Sequence, residues 1–312
     1  MARSDTISHF IDEARARVDR ALEQWLPKPP ACPALLCDAM RYSVMAGGKR
    51  LRPILTLAAA EAANSDRTRD TTQLALPAAC AIEFIHTYSL IHDDLPAMDD
   101  DTLRRGRPTL HVVYGDGIAI LAGDALQAEA FELLAREPVT TDPGTMRRKL
   151  DALRVIAEAA GACGMVGGQT IDLQAAGQVA GQALTLTPET LRAMHARKTG
   201  ALIRASAVSG ALMGGADQAV TQAITQWASE IGLAFQIVDD ILDVEGDAGA
   251  LGKTVGKDAA GDKPTYPSLF GLDRARAMAA DCASHARAIL ADARLDQSSL
   301  PAIADWVLTR KN

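Results

Sequence analysis

Apolar residues recur at helical spacing over most of the 312-residue chain. Phe10, Ile11, Ala14, Val18, Ala21, Leu22 and Trp25 fall three or four apart, which places them on one face of a helix. Pro27-Lys28-Pro29-Pro30 stops that helix, because proline lacks the N–H that a further turn requires. The same spacing predicts helices over 51–63, 74–94, 118–136, 146–161, 188–207, 221–244, 275–293 and 301–310. Thr187 followed by Pro188 reads as a capped helix start. Residues 137–145, with Pro138 and Asp142-Pro143-Gly144, read as a surface turn, and 174–181 as a small polar connector. Residues 245–268 form one long loop rich in glycine and lysine, and loops of that length in a compact domain usually carry function or stay disordered. No stretch alternates convincingly with period two, and no repeat or change of composition divides the chain. The expected fold is therefore all-α, one helical domain spanning 1–312.

Composition narrows the classes. Apolar residues make up 48% and aromatics only 4%, so alanine and leucine carry the hydrophobic share and favour helix over sheet. With 32 Lys and Arg against 39 Asp and Glu, the net charge of −7 argues against a nucleic-acid partner held by bulk positive charge. Five cysteines, at 32, 37, 80, 163 and 282, cannot all pair and show no paired metal-ligand spacing. They read as reduced packing thiols of a cytoplasmic protein. The N-terminus leads into a charged amphipathic run, and no apolar stretch is expected to reach membrane-spanning length, so no membrane insertion is expected.

Candidate chemistry lies in two acidic clusters, each directly after an apolar helix. The first is His92-Asp93-Asp94-Leu95-Pro96-Ala97-Met98-Asp99-Asp100-Asp101, the second Asp239-Asp240-Ile241-Leu242-Asp243. Asp239 and Asp243, four apart, share a helix face. Asp93 and Asp99, six apart, converge only if the backbone breaks near Pro96. Carboxylates so grouped repel unless a cation sits among them, and oxygen ligands favour Mg²⁺ or Mn²⁺. Mg²⁺ takes few carboxylates and fills its shell with phosphate oxygens, which implies a phosphorylated ligand. Basic residues stand where such a ligand needs them: Lys49, Arg50 and Arg52 after Gly47-Gly48, Arg104-Arg105-Gly106-Arg107 after the first cluster, Lys198-Thr199 within a helix, and Lys253, Lys257 and Lys263 on the long loop. Neither a Walker loop nor a dinucleotide-binding glycine fingerprint is present.

These blocks together resemble the trans-isoprenyl diphosphate synthase family, most closely its bacterial farnesyl diphosphate synthases. Asp93-Asp94-x4-Asp99 is similar to the family's first aspartate-rich motif with two inserted residues, and Asp239-Asp240-x2-Asp243 to the second. Gly48-Lys49-Arg50-Leu51-Arg52-Pro53, Leu103-Arg104-Arg105-Gly106, Gly168-Gln169-Thr170-Ile171-Asp172-Leu173, Lys198-Thr199 and Phe235-Gln236-Ile237-Val238-Asp239-Asp240 match further blocks in order, over residues 35–275. The resemblance implies a single polyprenyl synthase domain over 1–312, an all-α bundle around a central apolar cavity. Residues 1–30 supply its N-terminal helix and proline-rich turn, and 245–268 a substrate-closing loop. It implies a homodimer, and Mg²⁺, about three ions, with Mn²⁺ as a substitute. Asp93, Asp99, Asp239 and Asp243 would hold the metal, with Asp172 in support. Lys198, Thr199, Gln236 and Arg104 would be catalytic and, with Lys253 and Lys263, would hold an allylic diphosphate. Lys49, Arg52, His86 and Arg105 would hold isopentenyl diphosphate, whereas His92 would be structural. Tyr88 and Ser89, five and four residues before Asp93, would set the floor of the cavity and hence chain length. The implied activity is head-to-tail condensation of isopentenyl diphosphate with dimethylallyl and geranyl diphosphate to (E,E)-farnesyl diphosphate. A geranylgeranyl diphosphate synthase is the alternative, with a class I terpene cyclase, a head-to-head synthase or a regulatory subunit further off.

Overall fold

The computed structural model describes residues 2–64, 70–245 and 265–309. Fourteen helices follow one another there: α1 (Ala2–Trp25), α2 (Ala34–Val44), α3 (Leu51–Ala62), α4 (Thr71–Asp93), α5 (Leu110–Tyr114), α6 (Asp116–Arg136), α7 (Pro143–Ala160), α8 (Met165–Ala175), α9 (Pro188–Lys198), α10 (Gly200–Gly214), α11 (Gln218–Glu245), α12 (Tyr266–Phe270), α13 (Leu272–Asp292) and α14 (Leu300–Thr309). Among the described residues the only strands are β1 (Leu103–Arg104) and β2 (Arg107–Pro108), an antiparallel ribbon with Arg104 opposite Arg107. The fold is all-α, as the periodicity predicts.

Two helices, α4 and α10, are apolar almost all round and form the middle of the bundle. α4 packs against α3, α6 and α10, and α10 against α3, α4, α7 and α11. Small residues let α3 and α10 meet backbone to backbone: a Cβ on Gly210 would lie 2.0 Å from the Thr56 carbonyl oxygen, and one on Gly214 2.4 Å from that of Ala60. This close packing fills the core with alanine, which explains how it closes with so few aromatic rings. α4 begins at Asp70, whose carboxylate accepts from the N–H groups of Thr72 and Gln73 and from Arg17 of α1 at 2.7 Å. The cap therefore starts one helix and fastens another.

Arg50 ties the N-terminal helices together. It stands just before α3 in the left-handed conformation (φ 52°) and is 4% exposed. Its guanidinium donates to Asp19 of α1 at 2.9 Å, to the buried Glu83 of α4 at 2.6 Å and to the Val44 carbonyl ending α2 at 2.7 Å. Burial alone would lower this guanidinium, but Glu83 and Asp19 raise it above the usual range.

The structure corrects several expectations. Residues 188–207 are two helices, because the chain turns at Thr199, which ends α9 and precedes α10. Gly200 sits at that turn, and a Cβ on Gly232 of α11 would lie 3.2 Å from its Cα. Helices α2, α5 and α8 stand where none was predicted. α11 continues to Glu245 and Thr265 caps α12, so both ends of the expected loop at 245–268 are ordered, and 246–264 lies outside the described residues. One apolar stretch does reach membrane-spanning length: Thr71–Asp93 passes by length and composition. It is α4, whose apolar face all round is met by neighbouring helices rather than left for lipid.

Candidate active site

The first acidic cluster folds into a tight turn. α4 ends at Asp93, and the chain loops back so that the Asp99 N–H donates to the Asp93 carbonyl at 2.8 Å. Asp100 and Asp101 donate to the carbonyls of Leu95 and Asp94, and Asp100 takes a left-handed conformation (φ 51°) to close the loop. This turn brings Asp99 beside Asp93 across a six-residue separation that no straight helix allows. The Asp93 carboxyl is pushed up to about 6 by burial, reinforced by Asp99 and Asp94 and opposed by Lys198 and Arg104.

Lys198 reaches this turn from α9. On α8, Gly168 and Asp172 are one helical turn apart and face α9 together. Gly168 lets the backbones touch, since a Cβ there would lie 2.2 Å from the Lys198 nitrogen. Asp172 accepts from Lys198 Nζ at 2.5 Å. Burial would lower Lys198, yet Asp172, Asp93 and Asp99 hold it above the usual lysine range. A fixed, fully charged ammonium thus stands next to the first pair of carboxylates. Thr199 follows at the break between α9 and α10.

The second cluster lies at the end of α11. Asp239 and Asp243 share its face, and Asp239 lies close enough to Arg52 of α3 to oppose the lowering of that guanidinium by burial. Asp240 turns elsewhere, accepting from the Tyr266 N–H at 2.9 Å and from Gln236 Nε2 at 3.3 Å. Burial pushes its carboxyl up to about 7 despite those two bonds.

Between the two clusters stands a concentration of cations. Arg52 is lowered to about 10 by burial, with Glu83 and Asp239 opposing and Arg105 adding to the shift, and its buried Nε has no hydrogen-bond partner. Burial likewise lowers Arg105, helped by Arg50 and Arg104. His86 is held well below the usual histidine range, first by burial and then by Arg52, Arg105, Arg104 and Arg50, so its ring is neutral. Groups that depress one another in this way would all be relieved by an anion. Lys49, next to Arg50 in the chain, is half-buried. The glycine pair makes room for one of these cations: Arg105 donates to the Gly47 carbonyl, and a Cβ on Gly48 would lie 2.7 Å from its Nη1. Arg104 is clamped by Asp94. Lys253, Lys257 and Lys263 lie outside the described residues.

Tyr88 is buried on α4, with its hydroxyl unpartnered and its ring edge-on to His92 at 5.8 Å. Ser89 Oγ donates to the His86 carbonyl at 2.8 Å. His92 lies over Gly123 of α6, with Nε2 3.1 Å from the Ile120 carbonyl.

The donor set suits a hard cation because every candidate ligand is a carboxylate. Among the described residues no three Asp, Glu, His or Cys side chains gather closely enough to chelate an ion by themselves. The four expected ligands are divided between α11 and the end of α4, an arrangement that suits Mg²⁺ shared with diphosphate oxygens.

Comparison with known proteins agrees with this geometry. Residues 33–298 match the family model described as polyprenyl synthetase. The chain is similar to the farnesyl diphosphate synthase of Geobacillus stearothermophilus, 43% identical over 305 residues that cover 98% of each protein. It is equally similar to the geranylgeranyl diphosphate synthase of Cyanophora paradoxa, 43% identical over 97% of this chain and 96% of that one. Among solved structures, a Helicobacter pylori geranyltransferase complexed with magnesium and isoprenyl diphosphate superposes with a TM-score of 0.81 at 31% identity, covering 96% of this chain and 95% of that one.

Proposed function

This chain belongs to the polyprenyl synthetase family and is a trans-prenyl diphosphate synthase, and on that premise we propose that it joins isopentenyl diphosphate head-to-tail to dimethylallyl and then geranyl diphosphate, stopping at farnesyl diphosphate. The observation that carries the reading is the set of mutually depressed cations around Arg52, flanked on both sides by aspartates. Two anionic substrates, one handled with metal and one without, account for both features.

In this reading Lys49, Arg52 and Arg105 hold isopentenyl diphosphate, and the neutral His86 ring donates a hydrogen bond without adding charge. Arg104, Lys198, Thr199 and Gln236 hold the allylic diphosphate, with Lys253 and Lys263 joining them. Asp93, Asp99, Asp239 and Asp243 hold Mg²⁺, about three ions, or Mn²⁺ in its place. When bound, the metal neutralises charge developing on the departing diphosphate. Lys198, held in place by Asp172, adds a fixed positive charge at the same locus without reorganising. Apolar side chains below Asp93 exclude water from the allylic cation. The isopentenyl double bond attacks that cation, and the proton lost passes to the released diphosphate, so no protein residue is assigned as base. The exposed Val112, Val113, Ile120 and Leu121 on α5 and α6 support a homodimer, and five free thiols support a reducing, cytoplasmic setting.

Purified protein given dimethylallyl and isopentenyl diphosphates should release a fifteen-carbon product, resolved by chromatography. A cyclised hydrocarbon, or no product at all, overturns the reading. The competing assignment, a twenty-carbon product, has the equal likeness to the geranylgeranyl synthase behind it. Tyr88 favours the shorter one: at 1.5 Å rise per residue it stands roughly 7.5 Å below Asp93 on α4, in the path of a growing tail. Tyr88→Ala should shift the main product to twenty carbons or longer, and an unchanged product from an active variant puts the floor elsewhere. Arg52→Ala should raise the KM for isopentenyl diphosphate by about tenfold or more, as loss of a charge-assisted bond of ~1.5–3 kcal/mol predicts, with a smaller effect on the allylic substrate. Equal effects on both substrates would assign Arg52 to a shared site.

A further inference from the structure

A groove of about 660 Å³ runs along the outer side of α10, between α7 and the first two turns of α11, and is of the size of small-molecule sites. None of the carboxylates or cations assigned to the chemistry above lines it. The flanking helices set its direction. A Cβ on Gly215, just past α10, would lie 2.9 Å from Nη1 of Arg148 in the first half of α7, so the two helices run antiparallel. The groove therefore extends from Cys163, Gly164 and Ala201 at one end to Leu212 and Ala216 at the other.

Its floor is apolar and carries one unpaired charge. Ala201, Ala205, Val208 and Leu212 form a single stripe of α10, with Val155 and Ala159 of α7 beside it. Of the 15 residues of α10 only Arg204 and Leu212 are not buried, and both line the groove. Arg204 has no hydrogen bond or ion pair among the described residues. The other rim charges are occupied: Asp151 pairs with Arg147 and Glu158 with Arg154, both at 3.4 Å. Asp217 accepts from the Val220 N–H at 2.8 Å where α11 begins. An unpaired guanidinium near one end of an apolar track is complementary to an anion with an apolar tail.

We propose that this groove is a second binding site for a prenyl diphosphate, separate from the active site, with the diphosphate on Arg204 and the tail along Val208 and Leu212. The identity of the tail rests on the synthase activity stated above, since molecules of this kind are what the enzyme makes. Length agrees with it. Arg204 to Leu212 covers about 12 Å of helix at 1.5 Å per residue. An extended farnesyl chain, eleven bonds at about 1.2 Å each, covers about 13 Å. Side chains on a helix lean toward its N-terminus, so Arg204 reaches toward the Cys163-Gly164 end. Gly164 caps α8 without a side chain, and the positive end of that helix adds to the arginine there.

Cys163 reports on the site, because it lines that end of the groove and is the one exposed cysteine of the five. Its reaction with a maleimide, followed at the Cys163 peptide by mass spectrometry, should be slowed by farnesyl diphosphate. Inorganic diphosphate and farnesol, which supply head and tail separately, should protect much less. Arg204→Gln should raise the protecting concentration of farnesyl diphosphate by about tenfold or more and leave kcat within about twofold of wild type. Leu212→Gln should weaken protection through the tail. Protection should persist in EDTA and in Asp239→Ala, where the active site lacks its metal or a metal ligand. Its disappearance under both conditions would place the ligand in the active site and overturn the proposal. Equal protection by hexadecanoate, a fatty-acid anion, overturns the assignment to a prenyl diphosphate. So does an absence of protection, or protection that Arg204→Gln and Leu212→Gln both leave unchanged. Failure of the synthase reading beneath it shows separately, as no prenyl product from the allylic and isopentenyl substrates.

Discussion

Asp239→Ala is expected to lower kcat/KM by about 10³-fold while leaving the helical circular dichroism unchanged. A Lewis-acid contact to a departing diphosphate contributes several kcal/mol, and each 1.36 kcal/mol is a factor of about ten in rate. Asp239 is half-buried near the end of α11 and is not part of the core cluster around Ile237 and Ile241, so its removal spares the packing. It also neighbours Arg52, and its loss leaves that guanidinium with one anion fewer. Excess EDTA should abolish wild-type activity, and added Mg²⁺ should restore it. Full activity in EDTA, or an Asp239→Ala variant within about threefold of wild type, contradicts the assignment.

Helices with one wet face were legible in the sequence because their apolar positions repeat at 3.6 residues, as in α1 and α11. Helices whose two sides are both occupied were less so. α8 carries Gly167-Gly168 in its first turn and shows no helical spacing that predicts it, yet Gly168 is there because Lys198 approaches its backbone. The break at Thr199 was hidden because the helical spacing of Leu191 and Met194 runs on into α10, which is buried all round. The site was legible as a composition of carboxylates and cations, but its pairing was not. Periodicity could not bring Asp93 to Asp99, because the turn that does so depends on a left-handed Asp100 and on backbone bonds across it. Nor could it tell that Arg50, between Lys49 and Arg52, turns inward to Asp19 and Glu83. One signal was present: Glu83 is a lone acid in the apolar stretch of α4, and a buried carboxylate requires a buried cation.

That pairing makes Arg50→Ala the substitution with the largest expected effect on stability. It removes three hydrogen bonds at once, to Asp19, Glu83 and the Val44 carbonyl, and leaves Glu83 charged inside the bundle at 3% exposure. Breaking a buried pair from one side costs about 3–5 kcal/mol, because the abandoned charge keeps its desolvation penalty and loses its partner. For a chain of this size that corresponds to a fall in melting temperature of roughly 5–8 °C. The loss is expected to reach the site too, because Arg50 directly precedes α3, one residue after Lys49 and two before Arg52. The damage should be partly relieved by neutralising the other partner, so Arg50→Met with Glu83→Gln should melt above Arg50→Ala. Thermal unfolding followed by circular dichroism checks both. An Arg50→Ala variant melting within about 2 °C of wild type would mean that Glu83 finds water or a proton instead, and that the α1–α2–α3–α4 junction does not depend on this guanidinium.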